Sequence, residues 1–324
     1  MIRFTLALLL TVSGYPQAAR AVQSPAVAEF IREMEADHGF EAGQLRRLFD
    51  RVRISQQVLT AISRPAEAKP WYEYRSIFVT PERTREGVSF WRKNAQSLLA
   101  AEGRYGVAPE AIVAIIGVET FYGRHRGKYR VADALSTLAF YYPKRADFFR
   151  AELKQFLLMA REQRVDALQL MGSYAGAMGM PQFISSSFRD YAVDFNRDGR
   201  IDIWDDPEDA IGSVAHYLQR HGWERGRPVA MRARVNGPGY RHLLNGALKP
   251  AIPWNQVKRS GMIPEGDVAS DPLVTVVEFD SGAESEYWLG FNNFYAITRY
   301  NHSALYAMAV YQLANAIRSA YLGS

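Results

Sequence analysis

The most regular pattern of apolar residues lies in residues 111–123, where isoleucine, valine and alanine dominate. The apolar positions recur at helical spacing, which predicts a helix that is buried over much of its circumference and that Gly123 ends. This helix carries Glu119 near its end. Because burial raises the pKa of a carboxyl group, Glu119 is a candidate for giving and taking back a proton. The structural alternative is a buried ion pair with an arginine.

Helical periodicity also runs through the first hundred residues. Ser24 followed by Pro25 is a typical helix start, and further helices are predicted around residues 45–52 and 58–62. Thr80 followed by Pro81 predicts another helix, continuous through residues 88–99.

Between these helices, residues 71–75 are aromatic and follow a proline-containing stretch, which predicts an irregular segment. Tyr74 in this cluster is a candidate for stacking on a sugar ring, and plain packing is the alternative.

The middle of the chain predicts two more helices before the pattern changes. One ends near residues 141–143, and an amphipathic one carries residues 149–160. A helix over residues 206–222 follows, with Tyr217 predicted on its surface. Alternation in residues 229–235 and 273–279, with glycine and proline between, predicts a small β-rich insertion. The chain closes with an aromatic-rich segment and a final helix.

Small residues are concentrated between Ser173 and Gln182, with glycines at positions 172, 176 and 179. Such glycines allow the backbone to approach a ligand or another helix closely, although a tight loop alone is the alternative. Asn301, just before the final helix, is either the N-cap of that helix or a ligand contact.

Residues 194–202 match the first nine positions of an EF-hand calcium loop, including the glycine at the sixth position. Oxygen ligands fall at the first, third and fifth positions, and a backbone carbonyl falls at the seventh. These residues are Asp194, Asn196, Asp198 and Arg200.

The twelfth position of this loop is Asp205 rather than the usual glutamate. A shorter side chain leaves the last ligand open between Asp205, Glu208 and Asp209. The alternative for the whole segment is a solvated turn rich in Asp and Asn.

Composition narrows the class of protein and its cellular location. The chain has 324 residues, of which 48% are hydrophobic, so a large core is expected. Residues 1–21 have the charged start, apolar run and small-residue cleavage site of a secretory leader. With no cysteine, disulfides, thiolate metal sites and a lipid anchor at the cleavage site are excluded, and we expect a soluble product without a membrane anchor. A net charge of +5 is too diffuse to indicate nucleic-acid binding.

Several motifs together resemble the MltB-type lytic murein transglycosylases, a lysozyme-like family. The motifs are Gly117-Val-Glu-Thr-Phe-Tyr-Gly123, the small-residue segment 172–183, the calcium loop, and Thr298-Arg-Tyr-Asn-His302. The resemblance covers essentially the whole chain after the leader. Some members of the family are lipid-anchored, and this sequence departs from those because no cysteine follows its leader.

The resemblance implies that Glu119 is the single catalytic acid and base. It also implies that several polar and aromatic residues contact the substrate, and these are Ser173, Gln182, Lys144, Arg145, Tyr217, Tyr300, Asn301 and Tyr306. In the family the calcium loop is longer and finishes on an Asp, which favours Asp209 as the last ligand.

The expected fold is therefore α+β and mainly α, with a lysozyme-like core, a helical N-terminal domain and a small β-rich insertion. The expected divisions are residues 1–21, 22–100, 101–225, 226–282 and 283–324. Peptidoglycan glycan strands are the expected partner in the periplasm, and other cell-wall enzymes are a second partner class. Calcium is expected as a structural cofactor, with no organic cofactor.

Most glycosidases use two carboxylates, but no convincing second acid is present in the motifs. Glu162 lies in a polar surface pattern, and Asp133 and Glu152 have no motif around them. One carboxyl must therefore do two jobs, and with the family resemblance this implies cleavage of the bond between N-acetylmuramic acid and N-acetylglucosamine without water, which gives a 1,6-anhydro end. A lysozyme-type hydrolase and a non-catalytic glycan-binding protein are the alternatives.

Overall fold

A computed structural model describes residues 24–63, 69–268 and 271–323, so the predicted leader lies outside the described residues. In the described parts the chain is mainly helical. The helices are α1 (Pro25–His38), α2 (Ala42–Arg51), α3 (Gln56–Ile62), α4 (Trp71–Phe78), α5 (Pro81–Lys93), α6 (Ala95–Tyr105), α7 (Pro109–Thr120), α8 (Val131–Tyr141), α9 (Ala146–Glu162), α10 (Ser185–Tyr191), α11 (Pro207–Arg220), α12 (Trp254–Arg259), α13 (Asn292–Tyr300) and α14 (Ala304–Leu322). The strands are β1 (Tyr129–Arg130), β2 (Met171–Gly172), β3 (Ala230–Val235), β4 (Ile252–Pro253), β5 (Met262–Pro264), β6 (Leu273–Asp280) and β7 (Ser285–Gly290).

The predicted start of α1 is confirmed. The Ser24 hydroxyl accepts a hydrogen bond from the Val27 amide at 3.3 Å, and Pro25 occupies the first helical position. The prediction of an irregular segment at residues 71–75 is wrong, because these residues form the first turns of α4. Trp71 and Tyr74, one turn apart, are both buried on the same face, and this tertiary burial outweighs the breaker residues that precede the helix.

The single helix predicted through residues 88–99 is two helices that meet at Asn94. The Asn94 side-chain amide donates to the Phe90 carbonyl at 2.8 Å and satisfies a backbone group at the end of α5. After the junction Leu98 is buried, whereas Leu99 is 67% exposed.

Helix α7 forms the centre of the molecule and is buried on nearly all sides, packed between α5, α6, α11 and α14. It ends at Thr120, before the predicted stop, and Phe121, Tyr122 and Gly123 all have positive φ. The reversed backbone folds Tyr122 back onto the helix, where a Cβ on Gly117 would lie 2.6 Å from the Tyr122 hydroxyl oxygen. Glycine at position 117 therefore allows this tight end to the helix that carries Glu119.

The strands β3 to β7 form an antiparallel sheet in the order β4-β6-β7-β3-β5 with its own small core. Strands occur in the predicted β-rich stretch, but the sheet extends past residue 282 to include β7. Leu289 of β7 is buried in this second core, and the two residues before it, Tyr287 and Trp288, are large aromatic residues at successive positions, which hides the alternation in the sequence. The fold class predicted from the sequence, mainly α with a β-rich part, is confirmed.

Candidate active site

Glu119 is the penultimate residue of α7 and keeps a partly accessible side chain in an otherwise buried helix. Burial raises the pKa of its carboxyl group from 4.5 to about 7, and a hydrogen bond from Tyr306 offsets part of this rise. The carboxyl therefore holds a proton near neutral pH far more readily than an ordinary glutamate does. The alternative of a buried ion pair is not what the structure contains, because the partner of Glu119 is a tyrosine hydroxyl.

Tyr306 reaches Glu119 from the first turn of α14. Its hydroxyl donates to the Glu119 Oε1 atom at 2.6 Å. The start of α14 is fixed by Ser303, whose hydroxyl accepts a hydrogen bond from the Tyr306 amide at 3.3 Å. The N-cap of this helix is thus Ser303 and not Asn301, which lies partly accessible between α13 and α14.

A group of tyrosines continues from Tyr306. The Tyr300 ring lies nearly parallel to it at 6.4 Å between centroids, and Tyr217 lies 4.7 Å from Tyr300. The prediction that Tyr217 is on the surface is wrong, because its side chain is only 7% exposed and its hydroxyl donates to the Arg299 carbonyl. Helix α11 is covered on both sides, so its amphipathic pattern does not mark an open face. Tyr74 is also buried.

The backbone of residues 180–182 is held beside this group from two sides. Buried Thr120 donates from its hydroxyl to the Met180 carbonyl at 2.9 Å, and Tyr300 donates to the Pro181 carbonyl at 2.6 Å. Gln182 follows with a positive φ of 52°. One end of α7 therefore positions both Glu119 and the segment that carries Gln182.

Ser173 lies in the small-residue segment, which is a compact loop. Its hydroxyl accepts hydrogen bonds from the Ala175 amide at 3.3 Å and the Ala177 amide at 3.0 Å. The glycines of this segment serve close approach within the chain: a Cβ on Gly179 would lie 2.5 Å from the Ile203 carbonyl oxygen. The structure thus gives the tight-loop alternative a physical basis and leaves Ser173 partly accessible.

Lys144 and Arg145 are the two basic residues that the family resemblance places at the substrate. They occupy an exposed 3₁₀ turn before α9, where the Arg145 guanidinium stacks on Phe148 at 4.2 Å and on Phe149 at 5.4 Å. Their contacts in the described residues do not include Glu119 or its tyrosines.

The other acids considered in the sequence are occupied elsewhere. Glu162 forms an exposed pair with Arg189, and Asp133 pairs with Arg130. Glu152 is buried and accepts from the Ser186 amide and hydroxyl. Burial and Tyr306 account for the pKa shift of Glu119, so no second carboxyl among the described residues acts on it.

The loop 194–202 is closed by its own side chains. Asp194 accepts from the Asp198 and Gly199 amides, and Asn196 accepts from the Asp198 amide. These bonds hold the Asp194 carboxylate and the Asn196 amide oxygen against the turn of the loop. No three Asp, Glu or His side chains of the described residues converge on one point. The oxygen donors are nevertheless of the type that a hard cation takes.

Among the three acids left open for the last ligand, the structure distinguishes Asp209. It is 1% exposed and accepts from the amides of Phe195 and Asp202, both at 2.7 Å. Asp205 points outward to Arg126 with its side chain 77% exposed, and Glu208 is exposed. Burial raises the pKa of Asp209, and the backbone donors offset part of the rise.

Two residues around this site make contacts that the sequence did not predict. Thr120 follows Glu119 directly, yet its contact with Met180 spans 60 residues. Arg126 contacts residues more than 50 positions away through both its backbone and its side chain. Neither belongs to a periodic pattern, and only the fold brings these groups together.

Comparison with known proteins identifies this arrangement. Residues 22–315 match the family described as the transglycosylase SLT domain. Membrane-bound lytic murein transglycosylase B of Escherichia coli K12 is 44% identical over 304 residues, which cover 91% of this chain and 83% of that protein.

Two solved structures are similar over almost the whole chain. Soluble lytic transglycosylase SltB1 from Pseudomonas aeruginosa is 54% identical with a TM-score of 0.88, covering 93% of this chain and 100% of that one. The Escherichia coli lytic transglycosylase Slt35, solved in complex with calcium, is 43% identical with a TM-score of 0.87, covering 94% and 97%.

The fold is thus that of an enzyme that acts on peptidoglycan. The chain belongs to the transglycosylase SLT domain family and is an MltB-like lytic transglycosylase. In its described parts, none of the helices combines the length and the apolar composition needed to cross a membrane.

Proposed function

We propose that this enzyme cleaves the β-1,4 bond between N-acetylmuramic acid and N-acetylglucosamine with Glu119 as its single acid and base. The observation that carries the proposal is the Glu119 carboxyl, with a pKa of about 7 and one tyrosine hydroxyl as its partner. A group with a pKa near the working pH transfers protons in both directions efficiently.

In the first step, protonated Glu119 gives its proton to the glycosidic oxygen, and the bond from that oxygen to C1 of the muramic acid breaks. In the second step, the C6 hydroxyl of the same sugar attacks C1 and returns its proton to Glu119. The products are a free hydroxyl on the leaving sugar and a 1,6-anhydro ring, and no water is consumed. A well-positioned internal hydroxyl behaves as though present at about 10⁵ M or more, so it competes with solvent.

Four partly accessible residues are the proposed substrate contacts, namely Ser173, Gln182, Tyr300 and Asn301. Tyr306 acts on Glu119 directly. Tyr74 and Tyr217 are buried, so their proposed role is to pack behind the tyrosines that line the site. Lys144 and Arg145 are exposed and have no contact with Glu119 or its tyrosines among the described residues, which suits the charged peptide stems of the polymer rather than the reacting sugars.

We further propose that Ca²⁺ binds the loop through Asp194, Asn196, Asp198, the Arg200 carbonyl and Asp209. Oxygen donors of this kind suit a hard cation, and buried Asp209 has no basic partner among the described residues. The ion would neutralise these carboxylates and fix the loop. Its role is structural, because the proton transfer needs only Glu119.

The peptidoglycan substrate and the leader-like residues 1–21 together support a periplasmic location for the enzyme. Glycan strands are the proposed partner, and other cell-wall enzymes remain a predicted second class.

The product distinguishes this function from its alternatives. Digestion of peptidoglycan in ¹⁸O-labelled water should release anhydro-muramic ends without label, each lighter by one water than a hydrolysed end. Labelled reducing ends as the main product would instead establish a lysozyme-type hydrolase. Glycan binding without any cleavage would establish a non-catalytic binding protein.

A further inference from the structure

The loop that follows α7 lies between the two proposed substrate contacts Ser173 and Gln182. Gly127 in this loop has a φ of 96°, and a Cβ there would lie 2.0 Å from the Gly172 carbonyl oxygen and 2.5 Å from the Ser173 amide nitrogen. Its neighbour Arg126 accepts a hydrogen bond at its backbone carbonyl from the Gln182 side chain at 3.2 Å. A shift of this short segment would therefore move Gln182, whereas Ser173 is also held within its own loop by the Ala175 and Ala177 amides.

The direction of the Gln182 side chain follows from these bonds. Its amide nitrogen donates both to the Arg126 carbonyl and to the Gly179 carbonyl at 3.0 Å. Since carbonyl oxygens only accept, the amide orientation is determined, and both N–H donors are used. The remaining group is the side-chain oxygen, which is a pure acceptor for an N–H or O–H of the glycan.

Arg126 also determines where its own backbone lies. Its guanidinium donates to the Trp204 carbonyl and to the Asp205 carboxylate, the latter at 2.6 Å. The adjacent Ile203 carbonyl accepts from the Met180 amide at 2.8 Å, two residues before Gln182. The turn 203–205 thus holds the Gln182 segment directly through Met180 and a second time through Arg126.

We propose that Arg126 is a positioning residue for transglycosylation, which anchors the loop that aims the Gln182 side-chain oxygen into the glycan site. The inference rests on the proposed role of Gln182 as a substrate contact. Arg126 itself does not touch the substrate: its side chain is directed to the turn 203–205, and it acts through Gln182.

A double-mutant cycle tests this. We expect Arg126→Gln to lower kcat/KM for peptidoglycan about fivefold, the size of one ordinary hydrogen bond, and Arg126→Lys to recover part of the loss. In a Gln182→Ala background the same Arg126→Gln change should alter kcat/KM by less than about twofold. Lys128→Gln is the matched control, because it removes one positive charge from an exposed position of the same loop. It should leave kcat/KM unchanged.

An equal loss from Arg126→Gln in both backgrounds would overturn the proposal, because Arg126 would then act independently of Gln182. A loss no larger than that of Lys128→Gln would do the same. If Arg126→Gln lowers the Tm strongly, Arg126→Lys carries the cycle in its place. A wild-type enzyme that gives only hydrolysed ends would instead refute the proposed function. The double-mutant cycle would still show whether Arg126 acts through Gln182.

Discussion

Glu119 and Asp209 are both carboxyl groups in helices of the buried core, and burial raises the pKa of each. Their partners differ. Glu119 accepts one hydrogen bond from the neutral hydroxyl of Tyr306, while Asp209 accepts from two backbone amides and faces a second acid, Asp206. The backbone donors favour the charged form of Asp209. At the desolvated Glu119 carboxyl, a single hydrogen bond from a hydroxyl leaves the protonated and charged forms close in free energy. Desolvation alone therefore does not decide whether a buried carboxyl transfers protons or binds a cation.

The largest expected effect that tests this contrast is on turnover. Glu119→Gln keeps the shape of the side chain and removes its proton, so we expect activity on peptidoglycan to fall by a factor of about 10² to 10⁴ while glycan binding and folding persist. Release of soluble muropeptides measures the rate, and a binding assay on insoluble peptidoglycan measures retention. Glu162→Gln, which changes an exposed carboxyl paired with Arg189, is the control and should be nearly silent. A mutant above about one hundredth of the wild-type rate would remove Glu119 from the role.

The pH dependence of stability is the second test. The pKa of Glu119 in the folded state, about 7, exceeds the ordinary glutamate value of 4.5 that applies to the unfolded chain, so the folded state holds the proton more tightly. The stabilisation from this group is complete below pH 4.5 and is lost as the pH rises to about 7. Glu119→Gln should therefore be more stable than wild type at pH 8, by at most about 3 kcal/mol and less because the side chain is partly accessible, and equal to it at pH 4.

Urea unfolding at the two pH values measures the difference in the free energy of unfolding. Equal stability of Glu119→Gln and wild type at pH 8 would show that the carboxyl is well solvated. The contrast with Asp209 would then lose its basis.

The third test concerns the other carboxyl. A ligand that binds only the folded state stabilises it by about 2.7 kcal/mol at one hundred times its Kd, so Tm should rise with calcium concentration. Asp209→Ala should abolish most of that rise. Glu208→Ala, an adjacent exposed acid, should leave it intact. If Glu208→Ala abolished the rise and Asp209→Ala did not, the last ligand would be Glu208.

Local sequence signals predicted much of this molecule. The cap at Ser24, the buried helix around Glu119 and the oxygen-rich loop are each contained within a dozen neighbouring residues, where periodicity and side-chain chemistry act directly. The fold class and the family resemblance followed from them.

The signals failed where tertiary packing decides. Residues 71–75 look irregular after a proline, yet burial of Trp71 makes them helical. Tyr217 looks exposed by periodicity, yet α11 is covered on both sides. The hydrogen bond from Tyr306 to Glu119 joins residues 187 positions apart, and no local pattern encodes it.

That bond is also the subject of the smallest expected effect. Because the Tyr306 hydroxyl stabilises the charged carboxylate, Tyr306→Phe should raise the pKa of Glu119 further. The first step needs protonated Glu119, so activity falls as the pH rises through this pKa. In the mutant, this descending limb of the pH–activity profile should move to higher pH by up to about one unit. The rate below the limb should fall about tenfold, since the carboxylate formed in the first step loses its donor.

Tyr300→Phe is the matched control: its hydroxyl donates to the Pro181 carbonyl and not to Glu119, so the pH limb should stay in place. A limb that moves to lower pH in Tyr306→Phe, or that moves equally in Tyr300→Phe, would show that the proton of Glu119 is governed by the whole tyrosine group and not by this one bond.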